Sequence, residues 1–256
     1  MDYLLVPAGF AVGLLVGLTG VGGGALMTPA LILYGIPPAV AVGSDLVYAA
    51  LTKSVGAVLH QARRNIQWRI VGRMALGSLP ACAFTLWLLE GLQRKGAGYE
   101  SLVTVTLGVA LVLTAGVTLL RPWLMEHRDI QLTDKTTFLG TVVGGAFIGA
   151  LVTLSSVGAG ALGAAFLLVF YRSLPMASVV GTDLAHAVFL AALAGFGHWK
   201  LGAVDVSLLL PLLMGSIPGL YMGTRWASLI RDEVLRPAIA TFLLLLGLGF
   251  SLKELI

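Results

Sequence analysis

Six stretches of the chain, about 39–60, 69–90, 100–120, 176–197, 205–228 and 234–253, approach or reach the roughly 20 apolar residues one helix needs to cross a bilayer. Runs of that length suit lipid rather than water. A soluble domain charges about a quarter of its residues to cover its surface. Here 11% are charged and 58% hydrophobic, with a mean hydropathy of +0.96. Lipid tails solvate apolar faces directly, so an all-α integral membrane protein is expected. The runs are too long and too uniform to alternate as barrel strands. Met1-Asp2 carries no basic n-region, so no cleaved signal peptide is expected.

Two further apolar regions, 3–34 and 136–171, are broken in the middle by small residues. The breaks are Gly20-Val21-Gly22-Gly23-Gly24 and Ser155-Ser156-Val157-Gly158-Ala159-Gly160. They belong to a larger duplication. Pro37 and Pro175, Gly43 and Gly181, Asp45 and Asp183, and His60 and His198 share one offset, 138 residues (183 − 45). Gly77-Ser78-Leu79-Pro80 and Gly215-Ser216-Ile217-Pro218 keep the same offset, and the two breaks align at an offset two shorter. The expected organisation is an N-terminal repeat over 1–120, a cytoplasmic linker over 121–135 and a C-terminal repeat over 136–256, together one transmembrane domain.

Charge orients the halves. Arg63-Arg64-Asn65-Ile66-Gln67-Trp68-Arg69 is the most basic loop, which places it in the cytoplasm. If 3–34 and 136–171 are hairpins whose two short arms return to the side they entered, Arg121, Arg128, Lys135, Arg172, Arg225, Arg231 and Arg236 also come out cytoplasmic. The outer face then keeps Arg94, Lys95, Lys200 and Lys253. Single crossings would put Arg225, Arg231 and Arg236 outside. The hairpins make each repeat odd in crossings, so the expected fold is two inverted repeats, each a broken, re-entrant helical hairpin plus three transmembrane helices. The arm from Gly24 to Tyr34 measures roughly 16 Å as helix, too short to span roughly 30 Å of hydrocarbon.

Irregular backbone at membrane depth survives only where it is buried in protein or lines a wet cavity. Paired breaks in inverted halves therefore point to a binding site. Gly22, Gly23, Gly24, Gly158 and Gly160 let backbone N–H groups approach a ligand, and a half-helix that starts there favours an anion. Thr19, Gly20, Ser155 and Ser156 complete the candidate binding set. The same glycines also permit close helix packing. Asp45 and Asp183 are expected about two residues inside their helices, as N-terminal caps or as acids that carry a coupling proton. Ser44 and Thr182 stand beside them as neutral donors. Lys53, on the face of Asp45 two turns on, either pairs with an Asp or attracts the anion; its counterpart is Ala191. His186 shares a face with Asp183. His60 and His198 fit helix ends, His127 the central loop, and the five tryptophans an interfacial belt. The lone Cys82 reads as core, and no metal site, cofactor or nucleophile set is legible.

Gly17-Leu18-Thr19-Gly20-Val21-Gly22-Gly23-Gly24, the duplicated Pro-x5-Gly-(Ser/Thr)-Asp element and Asn65-Ile66-Gln67-Trp68-Arg69 resemble the sulfite exporter TauE/SafE family of membrane permeases over essentially the whole chain. The second half departs from the triple glycine and reduces its basic loop to His198-Trp199-Lys200 and the residues after it. The resemblance implies proton-linked transport of sulfur-containing or related carboxylate anions. The expected function is a multi-pass secondary transporter of small anions in a bacterial inner membrane. Its partners are the anion, the lipid bilayer and protons, with a homodimer allowed and no nucleic acid. The rival is a cation or metal ion transporter using Asp45 and Asp183. A membrane enzyme lacks a reactive set, and a mere scaffold needs neither broken helices nor buried charge.

Overall fold

A computed structural model describes residues 5–19, 24–94, 99–126, 134–226 and 232–253. All of the described secondary structure is helical, in ten helices: α1 (Leu5–Thr19), α2 (Gly24–Leu33), α3 (Pro38–Ala62), α4 (Trp68–Arg94), α5 (Tyr99–Glu126), α6 (Asp134–Ser155), α7 (Ala161–Phe170), α8 (Met176–Lys200), α9 (Val206–Trp226) and α10 (Asp232–Lys253). The described parts of α3, α4, α5, α6, α8 and α9 are long and apolar enough to cross a membrane. The protein is an all-α, multi-pass membrane protein.

Two lengths differ from the sequence-based expectation. α6 has 22 residues, about 33 Å, so the first arm of the second broken region is not short; its polar start, Asp134-Lys135-Thr136-Thr137, is helical as well. α7, the second arm, has 10 residues and stays near 15 Å. α5 also runs on to Glu126, into the segment expected to be linker.

Local chemistry sets the helix ends, and it is duplicated. Pro37 and Pro175 precede α3 and α8 with φ of −54° and −59°, the value the proline ring imposes and a helix start accepts. Both helices end in a Schellman motif. Asn65 N–H donates to His60 and Arg64 N–H to Gln61; Ala203 N–H donates to His198 and Gly202 N–H to Trp199. Arg64 and Gly202 take the left-handed position, at φ of 55° and 72°.

Packing crosses between the chain halves. α1 packs most extensively on α9, α4 on α6, α5 on α10 and α3 on α8. Exchanging the first five helices for the second five leaves that pattern unchanged. Small residues let the backbones touch. A Cβ on Gly13 would meet Ser216 Cα at 2.7 Å, and one on Gly149 would meet Ser78 Cα at 2.7 Å. α3 and α8 run antiparallel: Gly43, early in α3, abuts Ala203 and His198 at the end of α8, and Gly181, early in α8, abuts Asn65 and His60 at the end of α3. Cys82 is fully buried, while Trp68, Trp87, Trp199 and Trp226 are exposed on α4, α8 and α9. Trp123 and His127 lie outside the residues whose side chains are described.

Candidate functional site

The site is built around the interruption between α6 and α7. Ser155 ends α6 and occupies its own hydroxyl, which donates to Leu151 O at 2.7 Å and accepts Val157 N–H at 3.2 Å. Ser156 then takes φ of 58°, Gly158 110° and Gly160 145°. Gly158 and Gly160 reach these values without a Cβ penalty, and α7 can start at Ala161. Leu162 and Gly163 N–H share the Gly158 carbonyl, and Ala164 N–H takes that of Gly160. Among the described residues, no acceptor takes the N–H groups of Gly158, Ala159, Gly160 and Ala161. The start of α7 is therefore a cluster of free donors with the positive end of the helix dipole behind it. Val157 packs into one apolar core and Ala159 into the other, so the interruption lies between the two.

The first half meets it there. Gly24, the first residue of α2, lies against Ser156, whose carbonyl oxygen occupies the place a Gly24 Cβ would take and whose hydroxyl would lie 3.3 Å from it. Gly20, Gly22 and Gly23, and the Thr19 side chain, lie outside the described residues.

α3 and α8 bring the charges. Asp45 and Asp183 stand about two turns inside their helices, past Pro38 and Met176, which corrects the expectation of N-terminal caps. Asp45 is fully buried and accepts a hydrogen bond from Thr28 Oγ1 at 2.5 Å, while its Oδ1 has no partner. The Ser156 hydroxyl stands near this carboxyl but outside hydrogen-bond geometry. Asp183, 4% exposed, rests its unpartnered Oδ1 on Gly163, where a Cβ would overlap it. Lys53 faces both acids but makes no ion pair within 4 Å with either. Its ammonium instead donates to the carbonyl of Ala159. A trans peptide sets C=O and the next N–H on opposite sides, so this bond turns the Gly160 N–H away from the lysine.

The other candidates have defined partners. His186 Nε2 lies 2.8 Å from Ser78 Oγ, and its counterpart Tyr48 faces Ser216, the matching serine. His198 Nε2 lies 2.8 Å from the Thr153 carbonyl. Ser44 and Thr182 do not join the acids. Ser44 Oγ accepts Asp205 N–H at 2.9 Å, just before α9, and Thr182 Oγ1 accepts Gln67 N–H at 3.0 Å, just before α4. Each thus holds a helix start of the opposite half, where donors lack intrahelical partners.

Sequence reasoning missed Thr28, Gly163 and the role of Ser78. Ser78 had a signal, being polar in a duplicated Gly-Ser-x-Pro element. Thr28 and Gly163 match Ala164 and Met27, so the repeat could not flag them. No cluster of three or more metal-ligating side chains exists among the described residues.

A multi-pass helical bundle whose span is interrupted beside buried charge is the architecture of a membrane transporter. Residues 5–250 match the family described as Sulfite exporter TauE/SafE, and the chain belongs to that family. It is 34% identical over 254 residues to the probable membrane transporter protein YjnA of Bacillus subtilis, covering 97% of this chain and 99% of that protein. It is 28% identical over 257 residues to the probable membrane transporter protein YdhB of the same organism, covering 94% and 99%. No solved structure matches the chain.

Proposed function

We propose that this chain is a proton-linked secondary transporter of small anions, sulfite or organosulfonates among them, working in a bacterial inner membrane by alternating access. The observation that carries this is the run of unclaimed amides from Gly158 to Ala161, buried at Gly158 and Ala159 and half-buried at Gly160 and Ala161, at the interruption beside Lys53. Bare N–H groups in an apolar surrounding cost several kcal/mol each, and a small oxyanion offers enough acceptors to satisfy several at once. Thr19, Gly20, Gly22, Gly23 and Gly24 would supply the matching end from the first half, beside Ser156.

Inverted repeats over 1–120 and 136–256 would give the rocking symmetry, with the antiparallel course of α3 and α8 in support. Lys53 acts here mainly as a positioning residue, through Ala159 O. A cation reading draws on the unpartnered Oδ1 atoms of Asp45 and Asp183. Against it, the ammonium of Lys53 faces both acids and is bonded to the Ala159 carbonyl, so a positive charge is already present where a cation would bind.

Counterflow in proteoliposomes with sulfite, sulfate, sulfoacetate and short carboxylates tests the proposal. Exchange of one or more of these anions is expected. Thermal protection of the purified protein by cations alone would favour the cation reading instead.

A further inference from the structure

Asp45 and Asp183 hold the same place in the two halves, yet their surroundings differ in chemistry. Asp45 accepts a 2.5 Å hydrogen bond from Thr28, the length of an O–H···O⁻ contact, and has the unclaimed Ser156 hydroxyl beside it. At the position of Thr28 the second half has Ala164, which offers no donor. At the position of Met27 it has Gly163, against which the Asp183 Oδ1 is packed without a partner. One cation serves both acids, because Lys53 faces each of them and its counterpart is Ala191.

Resting on the anion reading above, we propose that Asp183 is the coupling site: it takes a proton from solution when an anion seats on the α7 amides and releases it when the anion leaves, while Asp45 stays ionised.

The reason is a local charge count. Lys53 supplies one positive charge for the two acids, and Thr28 supplies a donor to Asp45 alone. A second carboxylate in the same dry space makes the cluster negative, and a bound anion adds to that charge. A buried charge without a donor bears its whole desolvation cost. Protonating Asp183 relieves the excess and breaks no hydrogen bond, whereas protonating Asp45 weakens the bond from Thr28.

No other neighbour competes for the role. α3 presents Lys53, Asp45 and, at its end, His60. α4 carries Arg69 and Arg73, with Arg73 lying 3.7 Å from Asp134 and over the Phe138 ring. α6 has Asp134 and Lys135 only in its exposed first turn, and α7 has no ionisable side chain before Tyr171. On α8 itself, His186 is engaged with Ser78. Of all these, Lys53 is the charge that bears most on Asp183, and it is shared with Asp45.

The test is calorimetric titration of the purified full chain with sulfoacetate, whose acid groups stay ionised near neutral pH, in two buffers of different ionisation enthalpy. Wild type should take up about one proton per anion, with affinity rising roughly tenfold for each pH unit lowered while free Asp183 is ionised. Asp183→Asn should bind sulfoacetate without uptake and with a flat pH profile, and Asp45→Asn should keep the uptake. Ala164→Thr places a Thr28-like donor beside Asp183 and should move the pH profile to lower pH; it decides the matter if Asp183→Asn does not fold.

Binding without proton uptake in wild type, undiminished uptake in Asp183→Asn, or an unmoved profile in Ala164→Thr overturns the assignment while leaving the anion site standing. Absence of binding to wild type by sulfoacetate and, in its place, by sulfite, sulfate and short carboxylates overturns both.

Discussion

Gly24 and Ser156 touch across the two halves of the chain, with the Ser156 carbonyl standing where a Gly24 side chain would begin. This contact joins the start of α2 to the interruption before α7. A methyl group there has backbone, not a flexible side chain, to displace. Gly24→Ala should therefore cut counterflow at least tenfold and lower the melting temperature. Gly72→Ala in α4 meets nothing within 4 Å and should be neutral or gain about 0.5–1 kcal/mol from reduced backbone freedom. Parallel melting and transport assays of the two variants check the claim, and equal behaviour would contradict it.

Lys53 reaches the proposed anion site through the Ala159 carbonyl. Lys53→Met should weaken anion binding by roughly tenfold or more, the size of one lost hydrogen bond to a charged group, about 1.5–3 kcal/mol. It also leaves two acids without their shared cation. Lys53→Arg keeps the charge and should restore part of the affinity. Anion-dependent thermal shifts measure both, and full wild-type affinity in Lys53→Met would remove the lysine from the site.

The α1–α9 and α4–α6 contacts are the same interface made twice. Gly9 lies on Leu212 and Gly145 on Met74, backbone against backbone. Gly9→Ala and Gly145→Ala should each destabilise by roughly 1–3 kcal/mol, since overpacked backbones must separate. The double variant should show nearly additive losses, because the two contacts share no residues. Thermal melting in detergent reads the result.

Ser44 and Thr182 are helix-start acceptors rather than ligands of the acids. Ser44→Ala and Thr182→Ala should each cost about 1 kcal/mol of stability while leaving the anion preference of counterflow unchanged. Thr182→Ser should recover the loss. A changed order of preferred anions in either alanine variant would place these hydroxyls in the binding site after all.

Much of this molecule is legible from local sequence. Apolar runs locate α3, α4, α8, α9 and α10, and the start of α5, within a few residues, because the hydrocarbon thickness sets a minimum length. The constant offset between Asp45 and Asp183 pairs the helices of one half with those of the other. Charge context misled at two places. Asp45 and Asp183 resembled caps because each follows a Gly-Ser or Gly-Thr, but the prolines ahead of them start the helices two turns earlier. The polar start of α6 resembled linker because composition does not distinguish an exposed helical turn from a loop.

By itself, then, the sequence determined a helical membrane bundle, its duplication and the positions of its candidate charges, since span length and periodicity act over a few turns of chain. Only the tertiary structure decided which of those groups meet. Lys53 and the Ala159 carbonyl are 106 positions apart, and Ser44 and the Asp205 amide 161. Such pairings depend on how α3, α7 and α8 pack, and a buried polar atom is satisfied by whichever partner the packing delivers. The difference between two acids at equivalent positions is of that kind: it comes from Thr28 and Gly163, residues on other helices.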